Sequence, residues 1–137
     1  MHKSIFVPHG EFKIRTEGQV IISEIHGPWN VEMMRAWGQS FAPVAQALCV
    51  SGPVGSIGAY SHSLLTSPDS IALLGKLLRY GVEHYQVACT ADVYDASVEG
   101  YVLGPRIFKS VYEGVVPSRS FARLADAVSW VNTVLSS

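Results

Sequence analysis

Histidines and aspartates fall where strands should end in this chain: His26, His62, Asp92 and Asp95, with Trp29, Tyr60 and Tyr94 beside them. In a parallel sheet the loops at the carboxyl ends of the strands share one side, so these residues can gather there. Two imidazoles and a carboxylate within about 2 Å of one point would suit a zinc-like ion. The sharpest reading is a small-molecule or metal site on His26, His62 and Asp92. The plainer one leaves His26 and His62 in hydrated loops and makes Trp29 a packing anchor over the next helix. The ligand-binding candidates are thus His26, Trp29, Tyr60, His62, Asp92 and Tyr94.

Other patterns offer less. Ser61-His62-Ser63 sets nucleophile and base side by side, but neighbouring side chains on a strand point to opposite faces. Gly52-x-x-Gly55-x-x-Gly58 lacks the G-x-G-x-x-G spacing of a phosphate loop and no helix starts directly after it; its glycines are read as relieving crowding under a helix. Cys49 and Cys89 have no C-x-x-C partner, which removes zinc-knuckle and thioredoxin motifs, and both read as small buried hydrophobes. No catalytic residue, metal set or cofactor is assigned. Met33, Met34 and Trp37 prompt a small apolar or lipid ligand, against the plainer reading of methionines as core. Tyr80, Tyr101 and Tyr112 on helix flanks offer a self-association surface, so a homodimer is one expectation.

The elements that would position these residues follow from periodicity. Glu11 to Arg15 alternates Phe12 and Ile14 with charged residues, as a half-exposed strand does, and Thr16-Glu17-Gly18-Gln19 turns the chain back. Gln19 to His26 is apolar on both faces, which suits an interior strand. Gly27-Pro28 ends it, and Asn30 caps a helix with an inward stripe of Met34, Trp37, Phe41, Val44 or Ala45, and Leu48. Pro43 removes the amide that would bond to Gln39, so a kink or break is expected near Gln39 to Phe41.

A third strand is placed at Gly52 to Tyr60. Ser67-Pro68-Asp69-Ser70 starts a second helix, with Ile71, Leu74, Leu77 and Leu78 inward and Gly81 as the left-handed residue after it. His84 to Thr90 alternates Tyr85, Val87 and Cys89 as a fourth strand. A third helical pattern runs from Val98 to Tyr112, restarting at Gly104-Pro105 and closed by Gly114. Pro117 to Phe121 is a fifth strand, and Ala127, Trp130, Val131 and Val134 mark the inward side of a last helix. A hairpin followed by strict strand and helix alternation implies a mostly parallel sheet with right-handed crossovers and one antiparallel strand at the start.

The 137 residues are 48% hydrophobic and 15% charged, a balance that fits one well-buried domain over residues 1–137, with 1–10 loosely ordered. Ten Lys and Arg lie singly along a chain of net charge −1, which offers no basic face for nucleic acid. MHKSIFVPHG has too short an apolar run for a signal peptide, and no segment reaches the roughly 18 apolar residues of a spanning helix. A cytoplasmic location is expected.

In that order the elements resemble the SpoIIAA-like superfamily, the fold of STAS domains and, more distantly, of CRAL-TRIO lipid-transfer domains; the likeness is greatest to a small bacterial branch without an assigned role. His26-Gly27-Pro28-Trp29, the element order, and Ser120-Phe121 followed by Ala127-Val128-Ser129-Trp130-Val131 carry it, over residues 10 to 135. The resemblance implies an α/β SpoIIAA-like fold: a mostly parallel five-stranded sheet, an N-terminal antiparallel hairpin strand and about four helices in a right-handed β-α superhelix. It also implies a non-enzymatic regulatory or binding module that docks on a protein partner. The Asp-Ser-Ser-Gly type signature of phosphorylated members is missing; Tyr60-Ser61-His62-Ser63 and Ser67-Pro68-Asp69-Ser70 occupy that region, so phosphorylation is not carried over. The alternative is a small-molecule or lipid carrier, or an enzyme, using the strand-end cluster.

Overall fold

The structure is a computed structural model that describes residues 11–137, so the expectation of loose order in residues 1–10 lies outside the described residues. The hairpin forms as its pattern requires. Strand β1 (Glu11–Glu17) half-buries Phe12 and Ile14, the turn places Gly18 at φ 60°, a conformation in which glycine meets no Cβ penalty, and β2 (Val20–His26) returns antiparallel with Glu11 opposite His26. In β2 the residues Val20 to Ser23 and Ile25 are buried while Glu24 is exposed.

Helix α1 (Val31–Leu48) begins where Asn30 Oδ1 accepts the Met33 amide at 2.9 Å. Pro43 does not break it: the α-helix continues through to Leu48. Buried Trp37, Phe41 and Ala45 stand on both sides of the lost hydrogen bond, and their burial holds the two halves on the sheet. Strand β3 (Val54–Ser61) runs parallel to β2.

Helix α2 (Pro68–His84) is capped by Ser67, whose Oγ accepts the Ser70 amide. It passes straight through Gly81, which is buried inside it; a Cβ there would meet Val87 Cγ2 at 3.1 Å. Gly81 is therefore a close-packing glycine, and the left-handed position falls on Gln86 (φ 56°). Strand β4 consequently starts later than its pattern suggests, at Val87, and runs to Val93. Residues 98–100 do not join a helix: a 3-10 turn (Tyr101–Leu103) leads into α3 (Gly104–Tyr112), which starts at the expected Gly104-Pro105. Strand β5 (Ser118–Phe121) and α4 (Leu124–Leu135) complete the chain.

The sheet order is β1-β2-β3-β4-β5, with β2 to β5 parallel. Crossovers of one hand between successive neighbours put all their helices on one face, and α1, α2 and α3 share a core there with Ile21, Ile25, Val54 and Tyr60. Helix α4 crosses nothing and covers the other face, where Ala127 and Val131 meet Val20, Ile22, Ile57, Cys89, Ala91 and Val93. Among the described residues no helix is long and apolar enough to cross a membrane.

Candidate functional site

Strand alternation divides the expected cluster between the two faces of the sheet. In β2, Ile21 and Ile25 face α1 to α3 whereas Val20 and Ile22 face α4, so His26 ends the strand on the α4 side. In β4, Cys89, Ala91 and Val93 face α4, so Asp92 points the other way. His26, His62 and Asp92 are thus not brought together. Among the described residues no three His, Cys, Asp or Glu side chains are placed to hold a metal ion.

The half beneath α3 is buried. Asp92 is 1% exposed, and its Oδ1 accepts a hydrogen bond from the Tyr112 hydroxyl at 2.9 Å. Burial pushes the Asp92 carboxyl well above its usual range, only partly opposed by that bond, because a carboxylate out of water without a cation is costly. Tyr60 and Tyr112 are buried beside it. Their phenols are raised first by burial and then by the Asp92 charge, with hydrogen bonding between Tyr60 and Tyr112 acting against the Tyr60 shift and a Thr90 bond against that of Tyr112. Tyr94 is raised by burial too, opposed by a bond with Ser120. The Phe108 ring lies between these tyrosines, with centroids 5.1 Å from Tyr60, 5.6 Å from Tyr94 and 5.9 Å from Tyr112. Tyr112 therefore turns inward and supplies no self-association surface, whereas Tyr80 and Tyr101 are exposed.

The exposed half holds both histidines. Their rings stack with centroids 4.9 Å apart and an interplanar angle of 18°. His26 Nδ1 lies 3.1 Å from Ser61 Oγ, its partner across the β2/β3 pair. His62 has φ 70°, a left-handed backbone uncommon outside glycine. The Glu99 amide donates to the His62 carbonyl at 2.9 Å and the Ser63 amide to the Ser61 carbonyl at 2.8 Å, holding that turn. A Cβ on Gly27 would run into the Ser63 carbonyl, so only glycine allows β2 to leave beside it. Asp95 is a separate exposed turn residue, lowered by Ser97 hydroxyl and amide donation.

Trp29 is an anchor, as the plainer reading has it: 2% exposed, in the core with Met33 and Met34, its amide donating to the Leu65 carbonyl at 3.2 Å. Its Nε1 finds no partner among the described residues. Cys89 is buried and Cys49 half-buried, both free thiols, and burial pushes Cys89 up to about 11.

Sequence reasoning missed Tyr112 as the partner of Asp92 and Ser61 as the partner of His26. It also missed the small polar floor of Ser23, Ser56, Gly58 and Thr90. That floor lies under Met34, Trp37, Phe41 and Leu74 around a cavity of about 30 Å3, room for about two waters. Trp37 Nε1 donates to Ser23 Oγ at 2.9 Å. The alternation of Ser23, Ser56 and Gly58 with apolar neighbours was the available signal. Of the open depressions elsewhere, two bear on the expected residues or on the helical layer. One of about 340 Å3 at the strand ends is lined by Arg15, Glu24, Tyr60, Ser61, Tyr94 and Asp95 among others. The other, about 440 Å3, runs between α1 and α2 past Trp37, Phe41, Leu73, Leu77, Tyr80 and Tyr85.

The arrangement has a counterpart among solved structures. An uncharacterised protein of the DUF3478 family from Shewanella loihica PV-4, described as having a SpoIIAA-like fold, superposes with a TM-score of 0.56 at 13% identity, covering 95% of this chain and 99% of that one. The fold is SpoIIAA-like. No family model matches the sequence, and no curated protein does. In SpoIIAA-like terms, the expected five-stranded sheet, antiparallel first pair and four helices are all present, and the groove between α1 and α2 lies on the helical layer that covers one face.

Proposed function

We propose that this chain is a non-enzymatic binding or regulatory module that docks a helical segment of a protein partner in the groove between α1 and α2. The carrying observation is that groove: about 440 Å3, open, and walled by Trp37, Phe41, Leu73, Leu77, Tyr80 and Tyr85. Tyr80 is 50% exposed and stacks on His84 at 4.0 Å, so one exposed aromatic ring stands ready at modest ordering cost, above the buried Trp37 and Phe41. Aromatic side chains with few charges are the signature of an interface core. A channel bounded by two helices of 18 and 17 residues matches the ridge of a third helix laid along it. The SpoIIAA-like fold, whose STAS members work by docking, supports the same reading.

A photo-crosslinking residue at position 80 tests it in extract of the source cell. The expected result is one discrete protein adduct that Leu73→Glu abolishes. The same adduct from a control position on α4, Ala125, which is exposed and outside the groove, would overturn the proposal, as would its survival in Leu73→Glu.

The strand-end depression supports a second reading, a small-molecule carrier or enzyme. Its volume of about 340 Å3 lies within the range of ligand sites, and it contains two expected residues, Tyr60 and Tyr94. Native mass spectrometry of protein taken gently from its own extract separates the readings. A discrete small added mass that Asp95→Ala removes supports this one; bare chain with a crosslinkable partner supports docking.

A further inference from the structure

A second surface shares no residue with the lining of the α1–α2 groove. Of the six large hydrophobic side chains exposed among the described residues, four are Leu65, Tyr101, Val102 and Leu103. They lie in the connections that follow β3 and β4, at the carboxyl ends of the strands, and form one patch. The Leu64 amide donates to the Glu99 carbonyl at 2.7 Å, a Cβ on Gly100 would meet Leu65 Cδ2 at 3.1 Å, and the 3-10 turn follows directly. We infer that this patch is the contact between two copies of the chain, paired about a twofold axis at Val102.

The exposure is built into the backbone. Gly100 takes φ 80°, and the Leu103 amide donates to its carbonyl at 2.8 Å. Gly104 sits so close to Tyr94 that a Cβ there would run into its ring, and the buried Tyr94 meets the Tyr101 ring edge-on with centroids 6.0 Å apart. Val102 is thus held outward, 84% exposed, and little ordering remains to be done on contact. Apolar side chains clustered in water mark an interaction surface, whereas single ones need no explanation.

The charges say what covers it. Glu99 precedes the turn and Arg106 follows it in the first turn of α3. Both are exposed, and neither has an ion-pair partner among the described residues, whereas Lys109 beyond them is paired with Glu113. A twofold contact sets residue i on j and j on i. With Val102 at the axis and the two segments antiparallel, Glu99 of each copy faces Arg106 of the other, so the apolar centre gains a complementary charged rim at both ends. An anionic membrane suits the patch less, because it would meet the carboxylates of Asp95 and Glu99 beside Arg106.

Sedimentation velocity of the full chain, in a concentration series up to about 1 mM, tests the contact. Wild type should show a monomer–dimer equilibrium. Val102→Asp should weaken it at least about tenfold, as loss of a central apolar contact does. Glu99→Arg and Arg106→Glu each set like charges together and should each cost about tenfold. The Glu99→Arg, Arg106→Glu double variant should return to within about threefold of wild type, since the pair is restored in reverse. All three side chains are exposed, so the fold should tolerate each change. Leu73→Glu in the groove should leave the dimer intact, which separates this contact from the docking reading. A chain monomeric at every concentration overturns the inference. So does a dimer indifferent to Val102→Asp, dissociated by Leu73→Glu, or not recovered in the double variant. A monomer that floats with phosphatidylserine vesicles and loses them in Val102→Asp would give the patch to a membrane and overturn it too.

Discussion

The two faces of the sheet are built to different rules. Under α4 the sheet is apolar throughout, Val20, Ile22, Ile57, Cys89, Ala91 and Val93 meeting Ala127 and Val131, and Gly55 has no room for a Cβ against Val131. Under α1 to α3 the same strands present Ser23, Ser56, Gly58, Thr90 and Asp92, a small cavity and the buried Tyr112–Asp92 and Trp37–Ser23 hydrogen bonds. A face covered by one helix can be packed to fit it alone. A face covered by three must fill the seams between them, and here small and polar residues occupy those seams. The register shift between β3 and β4 near Val54/Gly55 contributes: Ala88 is passed over, so Val87 and Thr90 both line the cavity.

The largest expected effect tests that contrast in adjacent residues. Ile57→Ala on the α4 face should cost about 2–5 kcal/mol, a large-to-small change in a full core, whereas Ser56→Ala on the cavity side should cost about 1 kcal/mol or less. Urea unfolding midpoints at constant m-value give both numbers. Equal losses would mean that the two faces are packed alike.

Tyr112→Phe should follow, at about 1–3 kcal/mol, because it leaves a buried carboxyl oxygen without its donor. If the variant matched wild type, α3 would be held by apolar packing of Phe108, Val111 and the Tyr112 ring, and the Tyr112–Asp92 bond would add nothing to stability.

Asp92→Asn sharpens the same point through pH. The carboxyl pKa is raised in the folded chain, so between the ordinary value of 3.8 and that raised value the folded state holds a proton the unfolded chain has lost. Stability therefore falls as pH rises across that window, by at most about 1.4 kcal/mol per pH unit, and is level above it. Asparagine keeps an acceptor for Tyr112 and carries no charge, so the variant should lose this component and be at least as stable as wild type at neutral pH. Parallel stability profiles for the two proteins from pH 4 to 8 would mean that Asp92 is ionised in the fold.

What could be read from the sequence was local. Caps at Asn30 and Ser67, the Gly104-Pro105 restart and the alternation in β1 and β2 depend on residues a few positions apart, and each stands where its chemistry puts it. Gly81 misled because glycine serves two ends, left-handed turns and close approach, and only the Val87 contact tells which. The strand-end cluster divided because β4 begins at Val87 and extends through Asp92, so a residue read as a loop ligand became an interior acid. Its partner Tyr112 lies twenty residues on, and no periodicity links them. Trp29 was legible as an anchor, whereas the His26 and Ser61 pairing needed the β2/β3 register.

The smallest stability effect is expected where the chemistry is most open. His26→Ala and His62→Ala remove exposed side chains, and surface changes of this kind stay within about 0.5 kcal/mol. His62 adds a separate test, because its backbone sits at φ 70°. Glycine pays no Cβ penalty there, and the left-handed backbone costs other residues about 1–2 kcal/mol against about 0.4–1 kcal/mol for glycine's added unfolded-state freedom, so His62→Gly should be more stable than His62→Ala. Thermal unfolding of the two variants checks this. Glycine above alanine would mean that the turn carries strain for the sake of the ring it presents, setting this exposed edge apart from both packed faces; alanine at or above glycine would make the turn ordinary and leave the stacked imidazoles without a structural cost.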